Sequence, residues 1–335
     1  MRVGNLIGAA AVAAAPTVSG ASAKPKPKAK PKPKEPTPEQ IQSMYDRGRA
    51  HGNWKLVAAA ERLDNGGGVS VTAPLAKPPA RDATLPLHED AELRVKLAKL
   101  GQRFHGWAAF WVHDLRTGEY AGWNSDAQFP AASIVKIAVL VAGIEQFGFG
   151  PTSPIDYDLR EIGTLSSNLA ANHVFERVGQ SAVDDALLRL GMPSSHYPGL
   201  YRAGSAVGDV QKAPPPAHYR VTTARDLGRA LLRLQAGAAG RHWALDRLEL
   251  TQAEAAAVLG YLRLHALGSS LLAPPSGAVL AEKDGWISDA RGSAAIAYTR
   301  FGPKIIVVLT YRPGVSETEA KVLGAKLSRL AFATR

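Results

Sequence analysis

The sequence predicts an α+β fold: an α/β sandwich lobe, its antiparallel sheet built from both chain ends, plus an all-helical lobe. Three observations carry this. Strand-like runs at Trp107–Asp114 and Glu119–Trp123 flank Arg116-Thr117-Gly118, which reads as a hairpin. Strand character returns only beyond Val279, at Gly292–Thr299 and Lys304–Tyr311. The stretch between them is mostly helical, so sequence-distant strands must share one sheet while the middle of the chain forms a lobe of its own. With 335 residues, 46% of them hydrophobic, the chain is long enough to bury a substantial core.

The elements follow in order. Residues 1–23 read as a secretory signal: Arg2, the apolar run Leu6–Ala15, then Ala21-Ser22-Ala23 as a small-residue cleavage site. Ten apolar residues are too few to span a bilayer. Residues 24–38 form a Lys/Pro-rich linker, which repels itself and favours extended polyproline II. Arg2 and the six lysines at 24–34 supply seven of the eleven net positive charges, leaving +4 for the rest. The basic balance therefore belongs to a tail suited to anionic cell-wall contact or to none, and no nucleic-acid partner is expected. There are no cysteines, which excludes disulfides, thiolate metal sites and lipoprotein attachment.

Residues 39–88 are a short helical segment and a Gly/Pro-rich connection. A helical pattern over Pro38–Leu63 carries Ile41, Met44, Trp54, Leu56 and Val57 and is divided at Gly52-Asn53. Packing on the main domain and a loose extension are both open. The main domain, 89–335, begins with an amphipathic helix at Glu89–Phe104, with Leu93, Leu97 and Leu100 on one face. Capping boxes are expected at Ser181–Asp184, Thr223–Asp226 and Thr251–Glu254. A final helix capped by Ser316 and Glu319 buries Val322, Leu323, Leu327 and Leu330.

The chemistry centres on Ser133-Ile134-Val135-Lys136, which opens an apolar helix running from Ile137 to Ile144. Residues three apart on a helix share a face, so Lys136 lies one turn behind the Ser133 hydroxyl. Apolar surroundings favour the neutral amine, and a neutral amine beside a serine is a general base beside a nucleophile. Alone the pattern is weak, because a serine N-cap followed by a snorkelling lysine gives the same spacing. Two later patterns strengthen it: Ser166-Ser167-Asn168-Leu169-Ala170-Ala171-Asn172, and Glu282-Lys283-Asp284-Gly285-Trp286 on a strand-like stretch.

This ordered set, S-x-x-K, S-x-N and K-x-G, resembles the serine β-lactamase and penicillin-binding protein superfamily. The class A β-lactamase branch fits best: Phe129-Pro130-Ala131-Ala132-Ser133 and Thr222-Thr223-Ala224-Arg225-Asp226-Leu227 also resemble its text. The resemblance spans about residues 89–335 and implies a β-lactamase/D,D-peptidase-like fold. It implies that Ser133 attacks a β-lactam or D-alanyl amide, that Lys136 takes or relays its proton, and that Ser166 shuttles a proton to the leaving nitrogen. It further implies that Asn168, Lys283, Asp284 and Gly285 line the substrate site. Lys283 would face the substrate carboxylate, and Arg291 would add a second carboxylate-binding cation.

Some positions depart from the family pattern. Ser167 stands where an aspartate is usual, and Asp284 stands where threonine or serine is usual. Asp284 is expected to repel anionic substrates unless Lys283 neutralises it. No glutamate occurs between Arg177 and Leu248, where the class A branch carries its deacylating base; Asp209 is the nearest candidate. The resulting expectation is a secreted, extracytoplasmic, monomeric serine hydrolase that needs no cofactor and deacylates slowly. A D,D-peptidase acting on peptidoglycan stems and a non-catalytic penicillin- or wall-binding relative are the alternatives.

Overall fold

The computed structural model describes residues 36–65, 87–201, 220–266 and 268–333. The expected signal 1–23, nearly all of the Lys/Pro linker, the Gly/Pro-rich connection after Asn65 and Asp209 lie outside the described residues.

A six-stranded sheet forms from both ends of the domain. Its strands are β1 (His88–Glu89), β2 (Trp107–Asp114), β3 (Glu119–Trp123), β6 (Val279–Trp286), β7 (Ala290–Thr299) and β8 (Gly302–Tyr311). They lie in the order β1-β3-β2-β8-β7-β6, so a strand from each half, β2 and β8, meets at the centre. That central pair runs in unbroken antiparallel register from Trp107↔Tyr311 to Asp114↔Lys304. The sheet departs from the antiparallel expectation at one place: the two-residue β1 pairs parallel with β3. A separate pair joins β4 (Phe129–Pro130) to β5 (Val221–Thr222).

Alternation along the strands divides the core between the two sheet faces. Phe110, Ala295 and Ile306 pack with Leu93 and Leu97 of α3 (Ala91–Gln102) and with Leu323 and Leu327 of α10 (Glu317–Ala333). Trp111, Ala294 and Ile305 face the other way and join the core of the helical lobe. The lobe is built from α4 (Lys136–Phe147), α5 (Asp156–Leu165), α6 (Asn168–Leu190), α7 (Ala224–Ala238), α8 (His242–Leu248) and α9 (Gln252–Leu262). Every residue of α4 from Lys136 to Ile144 is buried, which explains its apolar character all round. Reciprocal caps form at Thr251/Glu254 and Ser316/Glu319. The capping box expected at Ser181–Asp184 lies within α6, which is interrupted at Gly179 (φ 83°).

The first two helices, α1 (Pro38–Ala50) and α2 (Trp54–Asn65), belong to this same compact unit. Ile41, Tyr45, Val57 and Ala60 lie in the helical-lobe core. Tyr45 donates to Asp158 Oδ1 at 2.6 Å, and Arg49 Nη2 meets Asp158 Oδ2 at 2.7 Å. Burial pushes the Asp158 carboxyl up, but His173 and Arg49 outweigh it and hold the group below its ordinary range. Of the two arrangements open for this segment, the structure has the packed one. Its apolar stripe is continuous with the lobe that carries the motifs.

Candidate active site

Ser133 does not open the helix; it sits in the turn just before it. Helix α4 begins at Lys136, and the preceding residues are joined by i→i+3 bonds, Ile134 N–H to Ala131 O and Lys136 N–H to Ser133 O. Ala132 is held at φ 45°, a left-handed conformation that a non-glycine residue adopts only when its surroundings impose it. In such a tight turn positions i and i+3 eclipse, so Ser133 and Lys136 still share a face. Among the described residues the Ser133 N–H has no hydrogen-bond acceptor, which suits it to a developing oxyanion.

Strand β6 lies against this turn. A Cβ added at Gly285 would sit 2.8 Å from both Ser133 N and Ala131 O, so only glycine permits the approach. This contact brings the nucleophile motif and the Lys283-Asp284-Gly285 stretch together. The turn between α5 and α6 closes the group. Ser166 ends α5 in a left-handed conformation (φ 57°), and Ser167 caps α6 by accepting the Ala170 N–H at 3.1 Å.

The polar contacts then form one chain. Lys136 Nζ donates to Asn168 Oδ1 at 2.7 Å and also to the Ser166 carbonyl. Lys283 Nζ donates to Ser166 Oγ at 2.7 Å. Both lysines are fully buried. Burial, then the Lys283 charge, depresses the Lys136 pKa well below the ordinary lysine value, with Asp64 and Asp284 opposing. Ser133, Lys136, Ser166, Asn168, Lys283 and Gly285 are thus assembled at one junction of the two lobes.

Asp284 and Arg291 belong elsewhere. The Asp284 carboxylate is 2% exposed and lies 3.2 Å from Lys283 Nζ and 3.2 Å from His265 Nε2, and it accepts from Ser269 Oγ. Burial pushes its carboxyl up, but Lys283 and His265 prevail and its pKa falls far below the usual range. It is an internal brace for Lys283, and the expected repulsion of anionic substrates does not follow. Because its folded pKa is depressed, its stabilisation is complete above the ordinary Asp pKa near 4 and is lost only in strong acid. Asp284→Asn should cost about 3 kcal/mol in urea denaturation at pH 7, the usual effect of breaking a buried pair. Arg291 donates to Val315 O at 3.2 Å and lies over the Trp286 ring, so its side chain is engaged with the loop before α10. Sequence spacing placed it on the right strand but could not show which way it turns.

Several residues were not singled out by the sequence. Tyr201 lies beside Lys136, whose Nζ is 4.3 Å from the ring centroid, and its hydroxyl donates to the strained Ala132 carbonyl at 2.9 Å. Asn172 clamps the Tyr201 backbone, accepting its N–H at 2.6 Å and donating to its carbonyl at 2.8 Å. Burial pushes the Tyr201 phenol up to about 12, so it remains protonated. The only sequence signal was Asn172, one turn beyond Asn168 on α6. Glu61 of α2 accepts from Ser167 Oγ at 2.8 Å.

Behind the Ser166–Asn168 turn, the buried Glu161 carboxyl has its pKa raised to about 8 by burial, then by Glu61 and Asp158. The unfolded chain ionises this group near 4.5, so its effect on stability is unfavourable once pH exceeds that value and grows until about pH 8. Glu161→Gln should flatten the loss of stability between pH 5 and 8, which is on the order of several kcal/mol. Urea denaturation across that range measures it.

Comparison with known proteins agrees with this architecture. No curated protein matches the chain. The fold is similar to that of PBP-A (18% identity, 73% of this chain and 98% of that one, TM-score 0.57). It is similar to a PBP-A mutant in an acyl-enzyme complex with penicillin G (18%, 73% and 98%, TM-score 0.56). It also resembles a β-lactamase from Sphaerobacter thermophilus DSM 20745 (19%, 71% and 94%, TM-score 0.56). The model of the beta-lactamase enzyme family matches residues 92–157 and 154–334, covering the sheet and the helical lobe together. The chain belongs to the beta-lactamase enzyme family.

Proposed function

We propose that the protein is an exported serine hydrolase that opens β-lactam amides through an acyl-enzyme on Ser133 and releases the product slowly. The observation that carries the reading is the chain of contacts from Asn168 through Lys136 and Ser166 to Lys283, built beside a strained serine turn. Lys136, neutral because it is buried beside Lys283, takes the Ser133 Oγ proton as that oxygen forms its bond to the amide carbon. The Ser133 N–H meets the developing oxyanion. Ser166, held by Lys283, passes a proton to the leaving nitrogen, so that the C–N bond breaks without expelling an amide anion. The buried Lys283 charge attracts the carboxylate of the substrate. The acyl-enzyme seen for the PBP-A mutant with penicillin G supports the same chemistry here.

A non-catalytic wall-binding protein would have no use for two buried amines converging on one serine, an arrangement that costs desolvation and mutual repulsion. The test is covalent labelling by benzylpenicillin on a denaturing gel. Wild-type protein should carry the label and Ser133→Ala should carry none. Equal labelling of both would refute the nucleophile assignment.

A further inference from the structure

The Glu61 carboxylate reaches the motif turn from outside the motifs. It lies on α2, far from the motifs in sequence, and is fully buried. It interacts unfavourably with the buried Glu161 carboxyl, whose two oxygens have no hydrogen-bond partner among the described residues. Glu61 accepts from the Ser167 hydroxyl, which donates to its Oε1 at 2.8 Å. The same Ser167 oxygen accepts the Ala170 N–H and caps α6, and the Ser166 and Ser167 N–H groups both reach the Glu161 carbonyl. The turn is therefore gripped from α5 by backbone and from α2 by a carboxylate.

One helical turn after Glu61, on the same face, comes Asp64, which acts electrostatically on Lys136. Helix α2 thus brings the Glu61 carboxylate into contact with the motif turn and the Asp64 charge within electrostatic reach of Lys136.

We propose that the α1–α2 hairpin is a working part of the active site, with Glu61 as a positioning residue that acts through Ser167 to fix the turn carrying Ser166 and Asn168. The acylation readout of this proposal rests on the acyl-enzyme reading; its backbone readout does not. In a turn with no carboxylate of its own, Glu61 supplies from another helix the charge that an aspartate at position 167 would supply locally.

The experiment uses the full chain in four forms beside wild type: Glu61→Ala, Ser167→Ala, both changes together, and Glu61→Ala with Ser167→Asp. Hydrogen exchange of the peptide covering Leu165–Ala171 reads the turn without substrate, and the rate of acylation by benzylpenicillin reads its effect on chemistry. Each single change should speed exchange and slow acylation about tenfold, the loss of one charge-assisted hydrogen bond. The double alanine variant should be no worse than Ser167→Ala alone, because Ser167→Ala already removes the Glu61 contact along with the α6 cap. Ser167→Asp should restore exchange and acylation to within about threefold of wild type, a rescue that general destabilisation would not show. Unchanged exchange in Glu61→Ala, multiplicative effects in the double variant, or failure of the aspartate to rescue would each overturn the proposal. Should Glu61→Ala not fold, Glu61→Gln decides, since it leaves both the side-chain volume and the Ser167 cap of α6 in place and removes only the charge: faster exchange supports the proposal and unchanged exchange overturns it. If wild type is not acylated, the proposed function fails while the exchange data still decide the role of Glu61.

Discussion

In a Lys136→Ala variant, acylation at Ser133 should fall by about 10²–10⁴-fold, the effect of removing a positioned general base. The geometry gives two reasons for an effect this large. The amine is fully buried, and burial together with the Lys283 charge keeps it neutral well below the ordinary lysine pKa. It also ties the Ser166 carbonyl to Asn168 Oδ1, so its loss loosens the turn that holds the proton shuttle. The sign of the pH dependence follows. Acylation requires the deprotonated amine, so the rate should rise with pH and level off once Lys136 has lost its proton, below the range where a solvated lysine titrates. Lys136→Arg should not rescue, because a guanidinium stays protonated at any working pH. Stopped-flow acylation over a pH series measures both the loss and the profile. A variant that acylates at the wild-type rate would remove Lys136 from the mechanism.

The second large effect concerns the acyl-enzyme after it forms. Hydrolysis needs a base within reach of a water beside the ester, and loss of such a base costs about 10²–10⁴-fold. Two of the groups near Lys136 are poor candidates. Asp284 is occupied by Lys283, His265 and Ser269, and its depressed pKa makes it a weak base. Tyr201 keeps its proton until about pH 12 and donates it to the Ala132 carbonyl. The adduct should therefore survive removal of free penicillin, and steady-state hydrolysis should be far slower than acylation. Rapid multiple turnover with no accumulating adduct would contradict this, and Asp209→Asn would then be the variant to compare.

Much of the sheet was legible because strand signals are local. The Trp107–Asp114 and Glu119–Trp123 hairpin appears at the expected bounds, since its strand-like runs and the Arg116-Thr117-Gly118 turn specify it without distant partners. The three motifs were legible as text, and their convergence follows from the packing of α4, the α5–α6 turn and β6. What the sequence hid is set by contacts between distant elements. Ile41 and Val57 announced an apolar face but not the lobe it would cover, and no sequence pattern marked Glu61. Asp284 read as a substrate-site charge that would repel anions because neither Ser269 nor His265 is near it in sequence or carries a motif. Ser133 read as a helix start because S-x-x-K spacing fits both an α-helix and the tighter turn found here, and only the left-handed Ala132 separates them.

The central claim is that Ser133 forms a lasting covalent bond to the carbonyl of a β-lactam. Intact-protein mass followed over time, after a short pulse of benzylpenicillin and removal of the excess, tests it most directly. The account predicts that wild-type protein gains the full mass of the penicillin, mapped to the peptide containing Ser133, and loses it only slowly. It predicts no gain for Ser133→Ala. A wild-type protein that gains no mass while penicillin remains unhydrolysed, or an adduct that persists in Ser133→Ala, would contradict it.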